Sequence, residues 1–143
     1  MLLASAICSC SEKQPETTEP MITKTEIQVE NGHFTPEIMH RLGKVGDVQV
    51  SPNHAKILYG VTYTSIEQNK GNRELYLMNV DGSENVKITN TPKSESNARW
   101  INDSQIIYMR SGKLYTATIE GSTLKNEKEV AGAEGMEGFE LSP

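Results

Sequence analysis

The sequence repeats itself at an interval of about 40 residues, and this repeat restricts the possible fold more than any other feature. The stretch KLYTATIEG at 113–121 matches ELYLMNVDG at 74–82, so Leu114 lies 39 residues after Leu75 (114 − 75). A unit that recurs at such a period cannot bury its apolar face alone and stacks on its own copies. The repeat therefore predicts a fold built from stacked copies of one small unit.

Each copy contains short segments with the alternating polar and apolar pattern of β-strands. In the first copy they are DVQV, KILYGVTYT, RELYLMNV and NVKITN, and in the second NARWI, SQIIYMR, KLYTATIEG and EKEV. The turn sequence 51–54, the polar loop SIEQNKGN and the hairpin signal Asp81-Gly82 separate those of the first copy. Four antiparallel strands at this period predict the blade of a β-propeller. The alternative is a β-sandwich, which has no reason to repeat one motif at a fixed interval.

The last residues resemble the opening of the first repeat. GFELSP at 138–143 is similar to GDVQVSPN at 46–53 and begins the pattern a third time. We therefore expect an all-β fold, an incomplete β-propeller with two four-stranded antiparallel blades (about 46–90 and about 96–130) and the first strand of a third at 136–143. Propellers close with about 4 to 8 blades, so we expect 34–143 to be a partial propeller in a fragment of a longer protein.

A short helix is predicted before the first blade, in FTPEIMHRLG. Thr35 can cap it, Pro36 suits the first helical position, and Gly43 can close it. Its expected apolar face consists of Ile38, Met39 and Leu42. Residues 11–33 read as a polar linker followed by a lead-in strand in TEIQVENG.

Residues 1–10, MLLASAICSC, hold both cysteines of the chain. An apolar run, small residues and then cysteine are typical of an export signal, and Ile7-Cys8-Ser9-Cys10 resembles a bacterial lipobox with Cys10 as the lipidated residue. The run is short and no basic residue precedes it, so either it is a truncated export or lipoprotein signal or the resemblance is accidental. The first reading predicts an exported protein, periplasmic or membrane-anchored as a lipoprotein, of a Gram-negative bacterium.

Composition argues against several classes of function. The net charge is −5 (14 basic minus 19 acidic residues) and the basic residues do not cluster, so no nucleic-acid partner is expected. The sequence has no Gly-x-Ser-x-Gly elbow and no dinucleotide or phosphate loop, and His33, His40 and His54 share no ligand spacing. We therefore expect no cofactor, no metal and no catalytic residue. Six carboxylates are expected to be solvated: Glu26, Glu30, Glu37, Asp47, Glu67 and Glu74.

The aromatic side chains and two serines have structural explanations. The aromatic residues fall on predicted strands, where packing between blades is the first explanation and a sugar-stacking platform the second: Tyr59, Tyr63, Tyr76, Trp100, Tyr108 and Tyr115. Ser83 and Ser122 each follow a hairpin glycine and are expected to be turn residues.

QVSPNHAKILYG, LYLMNVDGSENVKIT and FELSP resemble the propeller repeats shared by TolB and by prolyl oligopeptidase-family serine peptidases. Ser51 and Pro52 match the first turn of those repeats, whereas Asn53 and His54 depart from its usual Asp-Gly. FTPEIMHRLGKVGDVQVSP and the long second connection are similar to the acylaminoacyl-peptidase and dipeptidyl-peptidase branch.

The resemblance implies an exported serine peptidase with an N-terminal propeller and a C-terminal α/β-hydrolase domain. A Ser-Asp-His triad in that domain, beyond residue 143, would cleave short peptides, and the propeller would gate access. The peptide substrate is then a partner only through the missing domain, substrate-binding residues here stay unassigned, and a membrane is reached only through a lipid on Cys10. Two alternatives stay open: a non-enzymatic TolB-like binding propeller, and a propeller enzyme acting on polysaccharide.

Overall fold

A computed structural model describes residues 20–142. The expected signal, Cys10 and most of the expected linker lie outside this range. After a 3-10 turn at Glu30–Gly32 and a helix, α1, at Pro36–Arg41, the described chain forms only strands. They are β1 Lys44–Val50, β2 Lys56–Ser65, β3 Lys70–Asn79, β4 Val86–Lys87, β5 Glu95–Trp100, β6 Gln105–Arg110, β7 Lys113–Glu120 and β8 Thr123–Glu134.

The strands form two four-stranded antiparallel sheets, in the orders β1-β2-β3-β4 (sheet one) and β5-β6-β7-β8 (sheet two). Each strand pairs with its neighbour in sequence, so each sheet is an open meander. The registers agree between the sheets: Tyr59 lies opposite Tyr76, and Tyr108 lies opposite Tyr115 at the matching position. The prediction of an all-β fold with two four-stranded antiparallel sheets after a short helix is confirmed.

Side chains alternate between the two faces of each sheet, and one face of each builds the main core. The back of sheet one carries Leu58, Leu75 and Leu77, and it packs against the front of sheet two. The buried residues of that front are Ala98, Trp100, Ile106, Tyr108, Ala117 and Ile119. A second, smaller cluster on the back of sheet two contains Ile107, Met109 and Leu114.

The loop predicted at 65–72 is shorter than expected. β2 and β3 run on to a turn over 66–69, where Asn69 has a φ of 48° and donates its N–H to the carbonyl of Ile66. Lys70 pairs with Ser65, and Asn72 pairs with Tyr63. Cross-strand hydrogen bonds thus extend the hairpin through a polar sequence that carries no strand signal of its own.

Two predicted strands are absent from the described residues. The lead-in strand expected at 25–32 is replaced by irregular chain and the 3-10 turn, and residues 136–142 take no regular structure. A strand needs a backbone partner, and no described strand pairs with either segment. Residues 20–22 are instead held by side chains, since Gln68 and Asn72 donate to the carbonyls of Pro20 and Ile22.

The helix forms where it is predicted, and its N-cap is confirmed. Thr35 is extended, and its Oγ1 accepts a hydrogen bond from the N–H of Ile38. The helix ends at Arg41 with an extended Leu42, so Gly43 does not close it as a left-handed cap. The expected apolar face is not buried: Met39 and Leu42 are exposed.

Candidate functional site

Buried polar groups gather where the chain passes from sheet one to sheet two. We call Glu74, Thr91, Glu95, Arg110 and Glu127 the junction network. Thr91, in the connection between β4 and β5, joins its two buried carboxylates: its N–H lies 3.1 Å from Oε1 of Glu74, and its Oγ1 lies 2.7 Å from Oε1 of Glu95. Thr89 donates to the other oxygen of Glu74 at 2.7 Å. The carboxylates are thereby fixed by hydrogen bonds from the connection itself.

Arg110 links the network to the last strand of sheet two. Its Nε lies 2.7 Å from Oε1 of Glu95, and its two terminal nitrogens contact the carboxylate of Glu127 at 2.8 and 2.9 Å. The guanidinium also lies over the rings of Tyr108 and Tyr115, 5.5 and 4.9 Å from their centroids. A planar, permanently charged fork can serve two carboxylates and two ring faces at once, which the point charge of lysine cannot.

The strand register explains why these residues meet. Glu95 and Arg110 lie directly opposite each other on β5 and β6, so their side chains leave the sheet on the same face. The hydroxyl of Tyr108 donates to the Glu127 carboxylate. Glu95 has no exposed surface, so its charge depends on Arg110 for compensation.

Burial and the contacts within the network shift the pKa values of its ionisable groups. Burial, together with the nearby charge of Glu95, raises the pKa of Glu74 above its ordinary value, although hydrogen bonds from Thr89 and Thr91 oppose the shift. The hydrogen bonds from Arg110 hold the pKa of Glu127 below its ordinary value. Burial opposes the charge of Arg110, but its hydrogen bonds to Glu127 and Glu95 outweigh this and raise its pKa. Burial and the bond to Glu127 raise the pKa of the Tyr108 hydroxyl.

The chemistry available to this network is structural. Arg110 is shared between the carboxylates of Glu95 and Glu127, and Glu74 is held by hydrogen bonds from Thr89 and Thr91. Two buried oxygens, Oδ1 of Asn72 and Oε2 of Glu95, have no hydrogen-bond partner. Geometry and charge therefore assign the network to fixing the connection between the sheets.

A cleft of about 530 Å³ lies outside the core, between the lead-in segment, α1 and the end of the β2–β3 hairpin. Glu37 and Arg41 line it from the helix, Glu67 from the hairpin turn, and 20–23 from the lead-in segment. Its charges are of both signs and lie on exposed side chains, so the cleft favours no class of ligand.

The sequence-predicted residues divide into those correctly placed and those that are not. Glu26, Glu30, Glu37 and Glu67 are exposed as expected. Glu74 is not solvated: it is buried in the junction network, so that expectation is wrong. Asp47 is half-buried and forms an ion pair with Arg73 at 3.2 Å.

Trp100 and Tyr108 lie in the core between the two sheets, as the first explanation expects, whereas the tyrosine pairs stack across strands within each sheet. Tyr59 stacks on Tyr76 at 5.6 Å, and Tyr108 on Tyr115 at 6.0 Å. Burial, with Tyr63 as the main neighbouring group, raises the pKa of Tyr76 to about 12. Trp100 is buried, and its indole N–H donates to the carbonyl of Gln49. Ser83 is a turn residue whose N–H and hydroxyl both donate to Asp81.

Residues 20–142 contain neither a metal-ligand cluster nor a helix suited to a membrane. His33, His40 and His54 are exposed, and no group of three or more His, Cys, Asp or Glu side chains in this range could hold a metal ion. Within the same residues, no helix has the length and apolar character needed to cross a bilayer.

Sequence reasoning missed Glu95, Arg110 and Glu127. Glu95 lies just before the predicted strand NARWI, so its pairing with Arg110 was not visible. The available signal was the alignment of the repeats, which puts Glu95 and Arg110 where the first repeat has Val45 and Val61. A charge at an otherwise apolar repeat position indicates a specific partner.

No family model matches the chain. Two curated proteins show partial similarity. The chain is 33% identical over 81 residues, 57% of its length, to dipeptidyl-peptidase 5 of Porphyromonas gingivalis. It is 30% identical over 97 residues, 68% of its length, to dipeptidyl-peptidase 5 of Porphyromonas endodontalis. It spans only 12% and 13% of the length of these relatives. The comparisons thus link part of this chain to part of a peptidase.

Proposed function

We propose that the chain is the N-terminal part of the β-propeller of a serine peptidase that releases dipeptides. The observation that carries the proposal is the partial similarity to two dipeptidyl peptidases 5, over a stretch that amounts to about an eighth of each. In this proposal catalysis belongs to an α/β-hydrolase domain elsewhere in the longer protein, and residues 20–142 are part of its scaffold.

The architecture supports the propeller. A propeller blade is a four-stranded antiparallel meander that packs face to face on the next blade. Sheets one and two are such meanders in consecutive order, and they share one core. The repeat interval of about 40 residues is also typical of blades. The contact of Phe139 with the back of sheet two is compatible with a further blade that would follow there.

The role of this region in the proposed peptidase is to gate substrate access. A rigid ring of sheets around a channel admits short, extended peptides and excludes folded proteins. The junction network suits this role, since buried, hydrogen-bonded charges allow the two sheets few alternative arrangements. We also propose that the parent protein is exported as a lipoprotein through Cys10. A Cys10→Ser variant should then lose its lipid label and its membrane fraction.

The test is to read the gene beyond codon 143 and assay the full-length product. We expect further repeats followed by a Gly-x-Ser-x-Gly motif. The product should release dipeptides from chromogenic substrates and react with a serine-directed phosphonate probe. Its matched control is the same protein with that serine changed to alanine, which should fold and lose both signals. Residues 1–143 alone should be inactive.

The opposite result is equally clear. If the reading frame closes after a few repeats without a Gly-x-Ser-x-Gly motif, the catalytic proposal fails. A non-enzymatic binding propeller then accounts for the repeats.

A further inference from the structure

The first strands of the two sheets, β1 and β5, carry the same irregularity at the same place in the repeat. The register between β1 and β2 shifts after Gly46, and the register between β5 and β6 shifts after Ser96. Each shift is a β-bulge, in which two residues of the first strand lie opposite one residue of the second. The first of these two residues is left-handed in both sheets, since Asp47 has a φ of 51° and Asn97 a φ of 53°.

The residue type at this bulge position follows from its backbone. A positive φ is unfavourable for most side chains, and glycine, asparagine and aspartate tolerate it best. The first two repeats have Asp47 and Asn97 there. When GFELSP is aligned with GDVQVSP by the shared Ser-Pro, the same position in the third repeat is Gly138. All three repeats thus keep a residue that allows the bulge.

The bulge of each repeat is hydrogen-bonded to the bulge region of the next. The backbone N–H of Asn97 donates to Oδ2 of Asp47 at 3.2 Å, although the two residues are 50 positions apart in the chain. The side-chain amide of Asn97 in turn donates to the carbonyl of Phe139 at 3.1 Å, and Phe139 directly follows Gly138. In both steps a side chain on one bulge contacts the backbone at the bulge position of the following repeat.

Two further bonds join the first strands and the turns that follow them. The indole N–H of Trp100 donates to the carbonyl of Gln49 at 3.3 Å. The N–H of Asn53 donates to the carboxylate of Asp103 at 2.8 Å, and these two residues are counterparts in the repeat. The bonds place β1 beside β5, so the contact between the bulges is part of the joint between the two sheets.

The third repeat has the contact to the bulge but not the strand. Residues 136–142 take no regular structure, and Gly138 is not left-handed. A Cβ on Gly138 would lie 3.7 Å from Nδ2 of Asn97, so the amide of Asn97 already lies against this residue. An asparagine amide both donates and accepts. Its oxygen is therefore suited to accept the N–H of Gly138, as the Asp47 carboxylate accepts that of Asn97.

We propose that the bulge of β5, with Asn97 at its centre, is the docking site for the first strand of the next repeat, and that β5 itself docks on Asp47 in the same way. The partner has a defined chemistry: a residue that tolerates a positive φ, then apolar residues one and three positions later, as in Gly138, Phe139 and Leu141. The apolar residues pack on the preceding sheet while the bulge backbone binds the side chain. Completion of the third strand by later chain rests on the proposed function, whereas the contact between Asp47 and Asn97 does not.

The first test is amide hydrogen exchange by NMR in the 143-residue chain. Asp47→Gly keeps a residue suited to the left-handed backbone but removes the acceptor. The exchange of the Asn97 amide should therefore accelerate by about tenfold or more relative to the amides of β6. Asp47→Asn retains an oxygen acceptor and should keep most of the protection. Urea unfolding of each variant separates this local change from a loss of global stability.

Two control variants separate this contact from other effects. Arg73→Met removes the ion pair of Asp47 and leaves its carboxylate, so the Asn97 amide should stay protected. Asn126→Gly changes another left-handed asparagine, at the register shift of β8, and should leave the exchange at Asn97 unchanged. Unchanged exchange in Asp47→Gly would overturn the proposal, and so would an equal acceleration in either control.

The second test concerns the next repeat. Asn97→Gly removes the donor to Phe139, so the NMR signals of Gly138 and Phe139 should move toward those of an unstructured chain. Asn126→Gly should leave both signals in place. If the signals in Asn97→Gly equal those of wild type, Asn97 is not the docking site.

The third test uses a gene product that continues beyond residue 143. Gly138→Val should lower the urea midpoint of this product, because a β-branched residue is strained at a positive φ. The same change should have little effect in the 143-residue chain, where the strand is not formed. Equally small effects in both would overturn the docking of the third strand.

The docking site and the peptidase fail on different results. A reading frame that closes soon after codon 143 refutes the peptidase, and the exchange at Asn97 still decides for or against the docking site. Unchanged exchange in Asp47→Gly refutes the docking site and leaves the peptidase to be decided by the gene and the activity.

Discussion

The same cross-strand pair is built differently in the two sheets. In sheet one it is Val45 opposite Val61, and in sheet two it is Glu95 opposite Arg110. The backbone register is conserved while the chemistry changes from apolar to ionic. The ionic pair lies where the connection from sheet one arrives, and Thr91 of that connection bonds to it. The repeat thus determines the backbone register, and the chain that packs beside each sheet determines which side chains are found at a given position.

The largest effect is expected from breaking the ionic pair on one side. Arg110→Met leaves Glu95 buried without a counter-charge, and such losses cost about 3–5 kcal/mol of unfolding free energy. Copying sheet one into sheet two, with Glu95→Val and Arg110→Val together, should recover most of this loss, because neither charge of the pair is left buried without its partner. Urea unfolding of the two variants measures the difference. If the double variant is as unstable as Arg110→Met, the ionic pair itself stabilises the fold and a pair of valines cannot replace it.

Arg73→Met is the matched control in sheet one. Arg73 and its partner Asp47 are both partly exposed, so water compensates for the broken pair. The expected loss is at most about 1 kcal/mol. A loss as large as that of Arg110→Met would contradict the contrast between the fully buried carboxylate of Glu95 and the partly exposed one of Asp47.

The second effect compares the covered Trp100 on the front of sheet two with its exposed counterpart on sheet one, Val50. Trp100→Val gives sheet two the residue found at Val50 in sheet one, and it should cost about 3 kcal/mol, because it leaves a cavity and removes the hydrogen bond to Gln49. Val50→Ala removes an exposed side chain and should change stability by less than about 0.5 kcal/mol. Both are measured by thermal unfolding of the monomer at low concentration. Equal losses would mean that Val50 is covered in solution.

The features that could be predicted from the sequence are those that depend on neighbouring residues in the chain. The alternation of KILYGVTYT and SQIIYMR, the Asp81-Gly82 turn and the Thr35 cap are each sufficient for the element observed. The sequence did not predict the burial of Glu74, because nothing local reveals that Thr89 and Thr91 fold back on that carboxylate. Periodicity reports which side chains face a core, whereas a polar group is buried only when distant donors meet it.

The segments predicted incorrectly fail for a related reason. TEIQVENG and GFELSP have strand-like patterns but no backbone partner among the described strands, and the polar Lys70–Asn72 stretch has a partner and becomes strand. Pairing, which is non-local, outweighs propensity at these positions.

The third effect concerns a close contact found only in sheet one. The Arg73 guanidinium crosses Gly46 and Gly60 to reach Asp47, and a Cβ on Gly60 would lie 2.2 Å from its Nε. Gly60→Ala should therefore push Arg73 aside and cost about 1–2 kcal/mol. Combining it with Arg73→Ala should remove the clash, so the two changes together should cost less than their sum. Strict additivity in urea unfolding would show that the glycine is required for another reason.

The smallest effect is a pH dependence with opposite signs at two carboxylates of the junction network. Burial and the charge of Glu95 raise the pKa of Glu74 above 4.5, so its ionised form is disfavoured in the folded state, and its contribution to stability falls as pH rises from 4.5 through the folded pKa. Glu74→Gln removes this loss. The stability of this variant relative to wild type should therefore increase from pH 4 to pH 8. The pKa of Glu127 is lowered by Arg110, so its contribution is present above pH 4.5 and is lost as pH falls through the folded pKa. The stability of Glu127→Gln relative to wild type should therefore decrease over the same pH range. Urea unfolding at both pH values gives the two differences, and equal signs would mean that the pKa values of Glu74 and Glu127 are not shifted in opposite directions.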